Sequence, residues 1–190
     1  MADIKTVVVS LPKLTVSGGP GSAEVIERGA VFGGFVPGYW AEVPIDNPQE
    51  AVAADLSGVL KRLSEGAALT YIEFNGSDFD HHLADLIEQS DRRTVLAVFG
   101  HDKLAFYGFG INTKALVSDK TAQFDDLWPT LAMIGEFYLT EKVSGRVWFE
   151  VLKNKSFKQS QIDKLKAALA RVEKMLKREN REPWDKHDCA

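Results

Sequence analysis

Two long apolar runs fall within Thr94–Phe109, TVLAVFGHDKLAFYGF, where they flank the polar tip Gly100-His101-Asp102-Lys103. Unbroken runs of this kind read as central strands, and so short a tip joins them as a hairpin. Leu69–Phe74 is a further strand, closed by the Asn75-Gly76 turn, and residues 146–152 are another. Helical spacing appears between them. Ser77 caps a segment in which Leu83, Leu86 and Ile87 share a face. From Asp125 to Lys142, Leu127, Leu131, Ile134, Phe137 and Tyr138 repeat at helical intervals, with Pro129 in the first turn, where it is tolerated.

Upstream, residues 4–16 are β-branched and apolar and read as strands interrupted at Pro12. Ser17–Ser22 is a glycine-rich loop without the Gly-Lys-Ser/Thr of a nucleotide-binding loop. Ala23–Arg28 fits a short helix or a strand, and residues 29–45 read as two short strands rich in Gly and aromatics. Asn47, Pro48 and Glu50 together make a helix start, and Val52, Leu56, Val59, Leu60 and Leu63 continue it over 48–64. Residues 110–124 are a polar loop. The last helix opens at a Ser156–Gln159 capping box and stops at Pro183. Its row Ile162, Leu165, Leu169, Val172 and Leu176 is a narrow two-in-seven seam, as in a coiled coil.

From residue 68 to 152 the order is strand, helix, strand, strand, helix, strand, the split βαβ pattern. The expected fold is therefore α+β, with a ferredoxin-like antiparallel sheet core, an N-terminal β meander and a long C-terminal helix. The meander spans 1–45, the core 46–152 and the basic helix with its tail 153–190, within one compact domain overall. In this topology Leu104–Phe109 lies inside the sheet and is more buried than the first strand of the hairpin. One of Phe106 and Tyr107 then faces the core and the other an open face.

Charge divides the chain. Residues 1–152 carry 12 Lys/Arg against 21 Asp/Glu, whereas residues 153–181 carry 10 basic against 3 acidic, within a net charge of −4. The single cysteine, Cys189, excludes an intramolecular disulfide and a cysteine zinc cage. No run reaches the roughly 20 apolar residues of a membrane span, and the N-terminus lacks signal-peptide features. The expected compartment is the cytoplasm, with no membrane association and no cofactor.

Candidate chemistry is sparse. Asp78, Asp80, His81, His82 and Asp85 crowd one helix start, and on a helix Asp78 and His82 share a face. Asp80-His81-His82 resembles, over those three residues, the signature of the DHH phosphoesterases, which implies metal-dependent hydrolysis. No metal site is assigned, and Asp78 with His82 come nearest to one. His101-Asp102 has the form of an oriented general base, but a polar hairpin tip accounts for it. Tyr71 with Phe74 and Phe106-Tyr107-Gly108-Phe109 loosely resemble the paired aromatic motifs of RNA-recognition modules, which implies base stacking on a sheet.

The first functional expectation is a non-enzymatic protein-binding module, an inhibitor or regulator of another macromolecule such as a nucleic-acid-processing complex. It would act through an acidic surface or through the aromatics Phe35, Tyr39 and Trp40. The alternative is a domain binding RNA or single strands through Tyr71, Phe106 and the basic helix, with Lys164, Arg171, Lys174 and Arg178. Metal-dependent hydrolysis is third. The apolar seam of the last helix leaves two arrangements open, packing on its own sheet or on a second copy.

Overall fold

Six strands pair into one sheet: β1 (Lys5–Ser10), β2 (Ala30–Val36), β3 (Leu69–Glu73), β4 (Thr94–Phe99), β5 (Leu104–Gly108) and β6 (Leu116–Gln123). In the computed structural model, residues 4–112, 116–140, 143–153 and 155–179 are described, without the side chains of 41, 116–119, 155–161 and 176–179. The chain divides into two compact units, Met1–Asn154 and Lys155–Ala190. The sheet belongs to the first, in the order β3-β1-β4-β5-β2-β6. β1 is parallel to both β3 and β4, β5 is antiparallel to β4 and β2, and β6 is parallel to β2. Five strands thus run one way and β5 alone opposes them.

The fold is α+β, but the mixed, mostly parallel sheet overturns the ferredoxin-like expectation. The reason lies in β1. Val7, Val8 and Val9 are fully buried, and a strand apolar on both faces is stable only in the middle of a covered sheet. β1 therefore inserts between β3 and β4, where a ferredoxin-like core would keep its own strands. β2 pairs on the far side of β5, so no N-terminal meander forms. Residues 116–123, expected within a polar loop, are the strand β6. Residues 146–152, expected as a strand, hold only a 3-10 turn, Phe149–Val151, and a single bridge from Leu152 to Ile111. The hairpin β4–β5 is present, with Phe99 opposite Leu104, but its burial is the reverse of expectation. β4 is buried at all six positions, whereas β5 opens at Tyr107 and Gly108.

Helices α1 (Pro20–Arg28), α2 (Leu56–Ser64) and α3 (Phe79–Gln89) cover one face. Val25, Val59, Leu63, Leu83 and Leu86 pack there with Val7, Val9, Ile72, Leu96 and Val98. Tyr107 points to this face and donates its hydroxyl to Glu24 of α1 at 2.9 Å. Helix α4 (Phe124–Gly135) covers the other, burying Leu127, Trp128, Leu131 and Ile134. α2 is shorter than its periodicity predicts. Asn47 sits at φ 50 and opens only a 3-10 turn, Pro48–Ala51. Val52 then bridges Tyr71, which holds the backbone extended, and the helix starts afresh where the Asp55 carboxylate accepts from Gly58 N at 2.7 Å. α4 stops at Gly135 because Glu136 turns left-handed at φ 56, short of the expected Lys142. The second unit holds α5 (Lys155–Glu179). The Ser156–Gln159 box, Leu176 and Cys189 lie outside the described residues or side chains.

The glycine-rich loop before α1 is explained by one carboxylate. The first turn of a helix leaves its N–H groups without partners. Here Pro20 has no N–H to satisfy, and Asp80 of α3, itself buried, accepts from Gly21 N at 3.0 Å and from Ser22 N at 2.7 Å. Ala23 N completes the turn by donating to Gly19 O at 3.0 Å. Glycine is required on both sides of this contact. Gly19 has φ 142, and a Cβ there would overlap the Asp80 carboxylate. A Cβ on Gly21 would lie 2.7 Å from backbone atoms of α3.

Asp80→Ala strands two buried donors and is expected to cost about 2–3 kcal/mol in urea unfolding, and Asp80→Asn, which keeps one acceptor, about half as much. An alanine variant as stable as wild type would show that this carboxylate does not hold α1 to α3.

Candidate binding crevice

Parallel register assembles a site that no single segment contains. Ser10 is the last residue of β1 and lies opposite Glu73, the last of β3, and Phe99, the last of β4. Two residues upstream, on the same face, Val8 lies between Tyr71 and Ala97. Because five strands are co-directed, all five end on one edge, and the residues that follow them converge there. They enclose an open crevice of about 590 Å³, lined among others by Leu11 and Pro12 after β1, Pro37–Trp40 after β2, Gly100 and His101 after β4, and Phe124 after β6. The outer side of a parallel sheet's carboxyl edge is where open α/β sheets bind ligands.

The crevice rests on a chain of aromatic rings. Trp40 stacks on Tyr71 with centroids 4.1 Å apart and planes 12° from parallel. Trp40 meets the edge of Trp128 at 5.3 Å, Trp128 meets Phe124 at 5.1 Å, Phe124 meets Phe99 at 5.9 Å, and Phe99 meets Phe35 at 5.3 Å. Each such pair adds about 0.5–1.5 kcal/mol beyond its buried area. Two backbone contacts hold the stack in place. Trp40 Nε1 donates to Pro48 O at 2.9 Å, and Ala53 N donates to Tyr71 O at 2.8 Å, strapping residues 48–53 along the edge of β3.

Tyr71 is the residue whose ionisation the site controls. Burial first, and then the negative charge of Glu73, push its phenol above the ordinary tyrosine range, and a hydrogen bond with Ser10 offsets part of the rise. The phenol therefore stays neutral to higher pH than that of an exposed tyrosine. A folded value above the unfolded one means that this group's contribution to stability is complete below about pH 10 and is lost as pH rises through the folded value.

The structure unites some of the sequence candidates and disperses others. Tyr39, 75% exposed, and Trp40, half-buried, line the crevice together with Tyr71. Phe35 is only 6% exposed and packs beneath it. Phe106 is fully buried in a T-shaped contact with Phe32, so it offers no face to a base. Lys164, Arg171 and Lys174 are exposed on α5, and the Arg178 side chain lies outside the description. The Asp/His cluster does not converge: Asp80 is committed to α1, Asp78 accepts from Ser77, and His82 lies against Phe74. Among the described residues no three His, Cys, Asp or Glu side chains are placed to hold a metal ion. His101 faces the crevice, and Asp102 sits at the exposed tip. Sequence reasoning does not single out Ser10, Gln49, Glu73, Phe99 or Phe124 as lining residues. The signal for all but Gln49, which sits in the turn Pro48–Ala51, is position at or just after the carboxyl end of a strand, which means something only once the strands are known to be parallel.

Compared with protein-family models, curated proteins and solved structures, the chain matches none. No helix among the described residues is long and apolar enough to cross a membrane.

Glu73→Gln removes the charge that opposes phenolate formation, so it is expected to lower the Tyr71 pKa while leaving it above that of an exposed tyrosine. Ultraviolet titration of the variant, with Tyr71→Phe to assign the transition, measures the shift; an unchanged curve would mean that Glu73 does not act on Tyr71.

Proposed function

We propose that the chain is a binding protein that takes an organic cation, an amine or guanidinium group, into the crevice at the carboxyl edge of the sheet. The observation that carries this reading is the pairing of charge with aromatic surface. Tyr39, Trp40, Tyr71, Phe99 and Phe124 line the space, Glu73 is the acidic residue beside the Tyr71–Trp40 stack, and the described lining contains no Lys or Arg. Aromatic faces carry negative potential and attract cations by about 0.5–2 kcal/mol, more as water is excluded. A neutral Tyr71 phenol and a carboxylate beside it favour the same sign of ligand. The volume suits a small molecule or one long side chain of a partner protein. Both sources present the same chemistry, and the second preserves the protein-binding reading with Tyr39 and Trp40 as its anchors.

Calorimetry against arginine amide, spermidine and choline, with acetate and inorganic phosphate as controls, tests the reading. Cations are expected to bind and anions not. Glu73→Gln and Trp40→Leu are each expected to weaken cation binding about 3- to 30-fold. Arginine-containing peptides that bind far tighter than arginine amide identify a protein source, whereas equal affinity identifies a free metabolite. Cation binding that ignores both substitutions, or none at all, would overturn the proposal.

A further inference from the structure

Among the described residues, helix α5 exposes an apolar row. Ile162, Leu165, Leu169 and Val172 are 36%, 55%, 64% and 47% exposed, and Met175 beside them is 56% exposed. These residues fall at positions a and d of two heptads, with Lys166 and Glu173 at the two e positions and Ala168 and Met175 at the two g positions. We infer that α5 pairs with α5 of a second copy, antiparallel, with Leu169 of one helix against Val172 of the other.

The charges select that arrangement from its competitors. In a parallel pair each e position faces a g position, so Glu173 would face Ala168 and no ion pair would form. In an antiparallel pair e faces e and g faces g. Centring the pair on Leu165 against Leu169 brings Lys166 close to Lys166 of the second copy, which is repulsive. Sliding one heptad the other way, past Val172, brings Glu173 close to Glu173. Only the register with Leu169 against Val172, in which Ile162 falls at the end of the seam opposite Glu179, sets Lys166 beside Glu173, and symmetry makes that contact twice. The same register places Ala168 beside Met175, so the g flank is apolar and one small residue lets the helices approach. Lys164, Arg171 and Lys174 fall at c and f positions, outside the seam, where they leave the charge pattern of the interface unchanged.

Sedimentation equilibrium of the full chain from about 1 to about 200 µM, a range that reads dissociation constants in the micromolar decades, measures the association. Lys166→Glu and Glu173→Lys each convert both attractive contacts into repulsive ones and are expected to weaken the dimer tenfold or more. An equimolar mixture of the two variants is expected to recover wild-type association, because each Glu then meets a Lys across the pair. The double variant carrying both changes is expected to dimerise like wild type. A wild-type chain that stays monomeric throughout, single variants that associate normally, or a mixture that fails to recover would each overturn the proposal.

Discussion

One buried carboxylate holds the helical face together. Asp80 lies on α3, yet its acceptors are spent on the first turn of α1, fifty-eight and fifty-nine residues earlier in the chain. α1 carries the chain from the centre of the sheet at β1 to its far side at β2, passing the strands β4 and β5 that separate them. Without a fixed α1, the order of the sheet would rest on strand pairing alone. The Gly19-Pro20-Gly21 run follows from this contact rather than from any external ligand. It is shaped to let an aspartate in, and its lack of a Gly-Lys-Ser/Thr ending agrees with that use.

Much of the architecture was legible where burial writes a strong pattern. β3, the β4–β5 hairpin, α3 and most of α4 follow from apolar runs and helical spacing. Strand direction was not legible. VVV in β1 and TVLAVF in β4 look alike whether their partners are parallel or antiparallel, and the choice is made by tertiary packing. β6 was hidden because Ser118, Asp119, Lys120 and Thr121 break any apolar alternation, as a sheet's last strand tolerates. The start of α2 was misplaced because Pro48 and Asn47 satisfy the local rules of a helix start, while Val52 is claimed by the edge of β3.

The site was legible in pieces that belonged to rival readings. Tyr39 and Trp40 stood as interface anchors and Tyr71 as a stacking platform for bases, while Glu73, two residues on from Tyr71, carries a charge that such a platform would not favour. The parallel register makes them neighbours and turns the conflict into complementarity, because a carboxylate beside aromatic faces repels phosphate and attracts an ammonium group. Phe106, the other half of the base-stacking motif, goes to the core instead, since its neighbours Ala30 and Ala97 in the pairing leave room for a large ring under the cover of the sheet.

The crevice draws its walls from segments near residues 10–12, 37–40, 49–52, 71–73, 99–101 and 124. Such a surface has no local precursor: a fragment ending before β6 lacks one wall, and one beginning after β1 lacks the floor. Contacts this distant in sequence form only after large loops have closed, a slow and entropically costly order of events. The crevice is thus expected among the last parts of the unit to form as the chain folds and among the first to vanish as it opens. Any molecule that occupied the crevice would therefore bind only the intact first unit and would stabilise that unit as a whole.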